Sequence, residues 1–322
     1  MKSLRYLFSV LLVGILVSAF TPAAQAADNV LRIGYQKYGT LILLKARGTL
    51  EKRLAPLGVS VTWSEFPAGP QLLEGLNVGS IDFGTVGETP PIFAQAANAQ
   101  ITYIGYEPPA PGGEAIVVAK DSPIKSVSEL KGKKIALNKG SNVHYLLVRA
   151  LEQAGLQYSD VEVVFLPPAD ARAAFERGSV DAWVIWDPFL AAAETSIGVC
   201  VLKDGKSVVN NHQFYLAEKT YASRHPYVIA AAFDELKKVD EWAQSKPKEV
   251  AEALAPLTGL NVPTLERALV RGGYGASYLN DKVIAEQQKI ADTFYNLKLI
   301  PKQLSIREAV WLPQENKKAA KK

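Results

Sequence analysis

The chain is poor in the residues that most often carry chemistry. Its 322 residues include one cysteine, one methionine and three histidines. A single thiol, Cys200, cannot close an intramolecular disulfide; it reads as a small apolar residue at a strand end. His144, His212 and His225 lack metal-ligand spacing. There is no G-x-S-x-G elbow, Walker loop or G-x-G-x-x-G, which leaves catalysis without a nucleophile motif or a nucleotide cradle. No catalytic residue, metal or cofactor is expected. An excess of one charge is also missing. The formal charge of +4 comes from both ends of the chain. Between them, residues 27–314 hold 30 basic against 31 acidic side chains, which excludes a basic surface for nucleic acid.

Long apolar runs are scarce as well. Residues 6–20 form one, shorter than the roughly 20 residues a membrane span needs. With Lys2 and Arg5 before it and Ala24-Gln25-Ala26 after it, residues 1–26 read as a cleaved secretory signal. No cysteine follows that cleavage pattern to take a lipid. Export without disulfides or a lipid anchor fits a bacterial periplasm. Residues 315–322, carrying four lysines, read as a solvated, disordered tail.

What the chain does have is a doubled phrase. LLEGLNVGSIDFGTVGETPP at 72–91 and ARAAFERGSVDAWVIWDP at 171–188 each give a helix, a Gly-Ser, an Asp, a short apolar strand and a proline-led helix start. Gly79, Ser80 and Asp82 match Gly178, Ser179 and Asp181 at one constant offset, too long for a solenoid repeat. The match extends back to strands at 31–35 and 134–137. Further strands are expected at 59–66, 81–86, 101–106, 114–119, 161–166 and 180–186, with helices at 41–54, after Gly69-Pro70, from Thr89 to Asn98 and beyond Gly140-Ser141. Asp170 is expected to cap the second repeat helix. This alternation predicts an α/β protein of two lobes, each a mostly parallel sheet covered by helices. Pro108–Gly113 marks the crossing between lobes. From His225 the pattern is helical (226–243, 247–257, 262–270 and 281–297). Either a separate helical domain or helices packed back on lobe one fits that pattern.

In open parallel sheets ligands lie beyond the carboxyl ends of strands, at helix N-termini that offer unpaired N–H groups. Four turns have that address: Gln36-Lys37-Tyr38, Gly87-Glu88-Thr89, Gly140-Ser141-Asn142 and Trp186-Asp187. Thr89 and Asp187 precede prolines and read as helix caps. Glu88 and Asp187 are also candidates to receive a cationic group of a ligand. Trp183 and Trp186 face opposite sides of their strand, with Trp186 the cleft wall. His144 reads either as a surface residue or as a donor to a bound anion. The Gly-rich 271–275 stretch between helices is a weak signal.

At IGYQK (33–37), EFPAGPQLLEGLNVGSIDFG (65–84), PPIFAQAA (90–97), SPIKSVSELKGKKIA (122–136), PADARAAF (168–175), VDAWVIWDP (180–188) and VLKDG (201–205), the chain resembles the solute-binding proteins of nitrate, sulfonate and taurine importers, and among them the aliphatic sulfonate group. The resemblance implies a type II periplasmic-binding-protein fold, two α/β lobes around a ligand cleft with hinge crossovers. Lobe one is 27–110 with 215–314, whose C-terminal helices rejoin it, and lobe two is 111–214. It further implies a monomeric, non-enzymatic carrier of a small sulfonate, with an ABC permease and its ATPase as partners. Backbone N–H groups at 87–89 and 140–142, with Gln36, Ser141 and His144, would hold the sulfonate oxygens. Tyr35, Tyr38 and Trp186 would cover the alkyl tail. Taurine, a sulfate ester, nitrate or a pyrimidine remain alternative ligands. A sulfinate-cleaving enzyme on this fold, which relies on a reactive cysteine, is the alternative from another class.

Overall fold

The β-α alternation read from the sequence runs through the first two-thirds of the structure, a computed structural model that describes residues 29–311. The signal and tail assignments at 1–26 and 315–322 lie outside the described residues. In chain order, lobe one begins with β1 (Val30–Tyr35), α1 (Gly39–Arg47), α2 (Thr49–Leu54), β2 (Ser60–Glu65), α3 (Gly69–Asn77), β3 (Phe83–Gly87), α4 (Pro90–Ala96) and β4 (Ile101–Tyr106). Then come β5 (Glu114–Ala119), β6 (Lys134–Leu137), α5 (Asn142–Gln153), β7 (Glu162–Phe165), α6 (Pro168–Glu176), β8 (Ala182–Trp186), α7 (Phe189–Ala192) and β9 (Val199–Asp204). The chain returns through β10 (Gln213–Glu218), α8 (Lys219–Arg224), α9 (Pro226–Ser245), α10 (Pro247–Thr258), α11 (Val262–Leu269), β11 (Ser277–Tyr278) and α12 (Asp281–Asn296).

Two sheets result, ordered β11-β4-β10-β3-β1-β2 and β7-β6-β8-β5-β9. β1 is parallel to β2 and β3, and β6 to β7 and β8, so the carboxyl ends that carry the four predicted turns sit side by side within each sheet. β10 enters between β3 and β4, antiparallel to both. The sequence reading assigned no strand there. It also drew one helix over 41–54, where the structure has two: Gly48 at φ +58 takes the left-handed conformation that closes α1. α6 starts after Pro167, so Asp170 lies inside its first turn rather than at its cap.

The doubled phrase has a structural cause. Gly79 and Gly178, at φ +69 and +68, turn the chain after α3 and α6, where a Cβ would be strained. Ser80 N then donates to the Gly75 carbonyl and Ser179 N to the Ala174 carbonyl, both at 2.9 Å. Asp82 N donates to the Arg32 carbonyl, and the Asp82 carboxylate accepts back from Arg32 N at 2.8 Å. Asp181 does the same with Lys134. Each aspartate therefore stitches the turn after its helix to a neighbouring strand, Asp82 to β1 and Asp181 to β6. The copies differ in burial. Asp82 is 2% exposed and also holds the Arg32 guanidinium, whereas Asp181 is exposed. Asp82→Ala strips charge-assisted bonds from a buried position and is expected to lower the unfolding free energy by about 2–3 kcal/mol, against under about 1 kcal/mol for Asp181→Ala. Urea unfolding of the two variants checks the difference.

The C-terminal helices are not a separate domain. Leu41, Leu44, Leu50 and Leu54 of α1 and α2 share one core with Val228, Phe233, Leu236, Val250 and Leu254 of α9 and α10. α12 instead joins a core reaching both sheets, its Phe294 edge-on to Phe93 of α4 at 5.0 Å and against Tyr145 of α5. No helix among the described residues is long and apolar enough to cross a membrane.

Candidate functional site

A cavity of about 120 Å³ lies between the two sheets. By the same measure a water needs roughly 10–15 Å³, so the space suits a small molecule. From the ends of β1 and β3 it receives Gln36, Tyr38 and Gly87, and from lobe two Ser141, Asn142, Trp186 and Asp187. The returning chain adds Asn211 and Gln213, and the turn after α11 adds Arg271 and Tyr274.

Its polar lining is mostly neutral and mutually bonded. Gln36, 2% exposed, donates through Nε2 to the Thr85 carbonyl at 3.2 Å and to the Tyr38 hydroxyl at 3.3 Å. Tyr38 in turn donates to Gln213 Oε1 at 2.9 Å, and burial holds its phenol far above the ordinary range. Ser141 donates to the Asn138 carbonyl at 2.6 Å. Asn142 crosses the cleft. Its Oδ1 accepts from Thr89 N of lobe one at 3.1 Å, and its Nδ2 donates to Asn211 Oδ1 of the returning chain at 2.5 Å. The absence of a side chain at Gly87 makes this possible, because a Cβ there would lie 2.1 Å from Asn142 Oδ1.

Charged groups also line the cavity: Lys37, 3.6 Å from Glu65, then Glu107, and the Asp187–Arg271 pair. Asp187 Oδ1 accepts from Ala191 N at 3.0 Å and from Arg271 Nη2 at 2.9 Å, while Oδ2 lies 2.9 Å from Arg271 Nε. Burial pushes this carboxyl up to about 7, outweighing the lowering by Arg271.

Comparison with known proteins places this geometry. Residues 57–250 match the family model described as NMT1/THI5 like. A relative from Escherichia coli (strain K12), named provisionally as an aliphatic sulfonates-binding protein, is 46% identical over 315 residues, 97% of this chain and 98% of its own. The chain belongs to the NMT1/THI5-like family. Its structure superposes on the periplasmic aliphatic sulphonate binding protein SsuA from Escherichia coli with a TM-score of 0.81 at 46% identity, covering 89% of this chain and 93% of that one. For the alkanesulfonate-binding protein SsuA from Xanthomonas axonopodis pv. citri bound to MOPS the TM-score is 0.84 at 40% identity, covering 88% and 98%. The resemblance read from the sequence and the two-lobe binding-protein fold are both borne out, and these relatives are binding proteins rather than enzymes.

Several expected site residues sit differently in this NMT1/THI5-like chain. His144 is fully buried and outside the cavity. Its Nδ1 accepts from Gly140 N at 3.3 Å and its Nε2 meets the Tyr158 hydroxyl at 2.8 Å. Phe93, Phe165 and Phe294 surround the ring, and burial drives its pKa down to about 4, so it is neither a surface residue nor a cationic donor. Glu88 is not among the residues that line the cavity. Its Oε2 accepts from His212 N at 3.0 Å, and burial raises the carboxyl to about 7. Thr89 stands at the N-cap of α4 but its side chain makes no cap bond, and its amide is taken by Asn142. Gly140 N is likewise turned to His144, so two of the backbone donors expected to face an anion are engaged. Pro188, not Asp187, occupies the N-cap of α7, and the cationic group that Asp187 meets is Arg271.

Sequence reasoning missed Arg271, Asn211, Gln213 and Glu107. The Gly-rich stretch at 271–275 was the one signal for the first. Glu107 is buried at the hinge. Its Oε1 accepts from Thr40 Oγ1 and from the Tyr215 hydroxyl, while Asp240 Oδ1 lies 2.7 Å from the same Thr40 oxygen. One hydroxyl proton cannot serve both carboxylates, and burial together with the Asp240 charge pushes Glu107 up to about 8.

Proposed function

We propose that this chain captures small aliphatic sulfonates in the cleft between its lobes and delivers them to an ABC permease with its ATPase for sulfur acquisition. The observation that carries the reading is the cavity wall. Neutral polar side chains converge on it from both lobes and the returning chain, its guanidinium is already matched by a carboxylate, and Lys37 at its edge is paired with Glu65. A sulfonate is anionic at any physiological pH. It needs fixed donors and exclusion of water rather than an acid–base partner. Trp186, whose Nε1 has no partner among the described residues, and Tyr38 offer surface for the alkyl tail. The sulfonate-binding names of relatives at 46% and 40% identity support the same ligand class.

The periplasm is the compartment, reached through the signal at 1–26, and the carrier is a monomer. Lobe one comprises 27–110 with 215–314, and lobe two 111–214. The two sheets support this division, since the chain leaves the first after β4 and re-enters it at β10. Taurine is a poorer fit, because both acids considered for its ammonium are engaged, Glu88 with His212 N and Asp187 with Arg271. Sulfinate cleavage would need a cysteine at the cavity, and Cys200 is exposed on β9 outside its lining.

Titration calorimetry on ligand-stripped protein tests the reading. Ethanesulfonate and longer alkanesulfonates are expected to bind, taurine at least about tenfold more weakly, since its charged amine stays unpaired. Sulfate and nitrate are expected to give no heat. Absence of heat with every alkanesulfonate overturns the proposal.

A further inference from the structure

The wall of the cavity continues outward into a cluster of charges that joins the two lobes. Helix α11 packs on α10, which belongs to the core of lobe one, yet it also lies against α7 of lobe two. At that contact Arg271 reaches Asp187 through two nitrogens, and its Nη2 also donates to Glu194 Oε2 at 3.0 Å. Arg267, one turn earlier, donates to both oxygens of the same Glu194 at 2.6 and 3.1 Å. Thr264 of α11 meets Thr195 hydroxyl to hydroxyl at 3.0 Å. Arg271, Asp187 and Glu194 are 19%, 12% and 12% exposed, so solvent screens these pairs weakly. Arg271 also lies beside the crossing between lobes, its Cδ 3.9 Å from where a Cβ on Gly112 would stand. Arg271 and Asp187 line the cavity, whereas Glu194 does not.

We propose that Arg271 is a positioning residue that clasps lobe two onto the helical side of lobe one. Through Asp187 and Glu194 it sets how long the cleft stays shut over its ligand. The planar fork suits this task, because one guanidinium serves two carboxylates from one lobe at once. Breaking such a pair acts mainly on dissociation. The consequence for ligand rests on the sulfonate reading; the clasp itself does not.

Two measurements separate them. Spin labels on the native Cys200 of lobe two and on an introduced Val78→Cys, both exposed positions, report the distance between lobes by pulsed electron resonance without added ligand. Stopped-flow fluorescence reports ethanesulfonate dissociation. Arg271→Ala and Glu194→Gln are expected to lengthen and broaden the distance distribution and to speed dissociation about tenfold, with Arg271→Lys intermediate. Glu194→Gln matters most, because it is close to isosteric and leaves the cavity wall intact. Distances and rates in Arg271→Ala and Glu194→Gln equal to those of the unsubstituted chain overturn the clasp. If the unsubstituted chain binds no ethanesulfonate, the sulfonate reading fails and the distances still decide the clasp.

Discussion

Gly87→Ala is expected to lower ethanesulfonate affinity at least about 100-fold and the melting temperature by several degrees. The added Cβ would lie 2.1 Å from Asn142 Oδ1 and 2.3 Å from both Cγ and Nδ2. No van der Waals contact survives at that distance, so either Asn142 leaves or the lobes part. Asn142 is not free to swing, since its oxygen holds Thr89 N and its nitrogen holds Asn211. Displacing it orphans a buried amide and a buried side-chain oxygen, at about 1–3 kcal/mol each. Moving the lobes apart instead misplaces every donor drawn from the opposite side, and losing two hydrogen bonds to the sulfonate at about 1.5 kcal/mol each is a loss on the order of 100-fold. Gly87 and Asn142 adjoin Val86 and Val143 of the core that reaches both sheets, so the orphaned groups lower stability as well. Asn142→Ala removes all three clashing atoms, so the double variant Gly87→Ala/Asn142→Ala is expected to recover part of the affinity. Calorimetry and thermal melts on the three proteins read the result, and undiminished binding by Gly87→Ala would show that the lobes need not meet there.

Unfolding free energy is expected to be at least about 2 kcal/mol higher at pH 5.5 than at pH 8. Three acids near the hinge and cleft are held above their ordinary range, chiefly by burial: Glu88 and Asp187 at about 7 and Glu107 at about 8. Glu114, fully buried at the start of β5, is raised by burial and then by the Glu88 charge. A raised carboxyl pKa means the folded chain holds its proton more tightly than the unfolded one. That contribution is complete below the unfolded value near 4.5 and is lost as pH climbs through 7 to 8. Glu88 alone accounts for about 2 kcal/mol over this interval at about 1.4 kcal/mol per pH unit. His144 works the other way. Its pKa is depressed to about 4, so it destabilises the fold as pH falls from 6.5 toward 4. The two windows overlap between about 4.5 and 6.5, where four raised acids outweigh one imidazole, so the optimum lies at the acid end of that range. Urea unfolding from pH 4 to 8.5 checks it, with Glu88→Gln expected to flatten the alkaline limb. A curve level or rising from pH 5.5 to 8 would contradict the burial argument.

Local pattern carried most of the fold. The alternation in residues 31–35, the Gly-Ser-x-Asp turns and the proline-led start of α4 each act within a few residues and lie where the pattern put them, whereas at α7 the proline falls at the N-cap. β10 was not legible because its place depends on pairing Gln213–Glu218 with strands more than 100 residues earlier. The break at Gly48 was missed because an apolar periodicity runs straight through it. The site shows the same division. Strand ends and helix starts gave the address of the cavity, but each side chain's partner came from far along the chain. Asp187 reads as a cap until Arg271 arrives from 84 residues away. His144 reads as open to an anion until Phe294 of α12 covers it. Asn142 and Asn211, which join lobe two to the returning chain, meet across 69 residues.

The most direct check is a crystal structure of the chain grown with ethanesulfonate. The sulfonate is expected in the cavity between β3 and α5, its oxygens accepting hydrogen bonds from neutral groups of both lobes and its ethyl group against Tyr38 and Trp186. A sulfonate bound outside that cavity, or held there by a free lysine or arginine in place of those neutral donors, would contradict it.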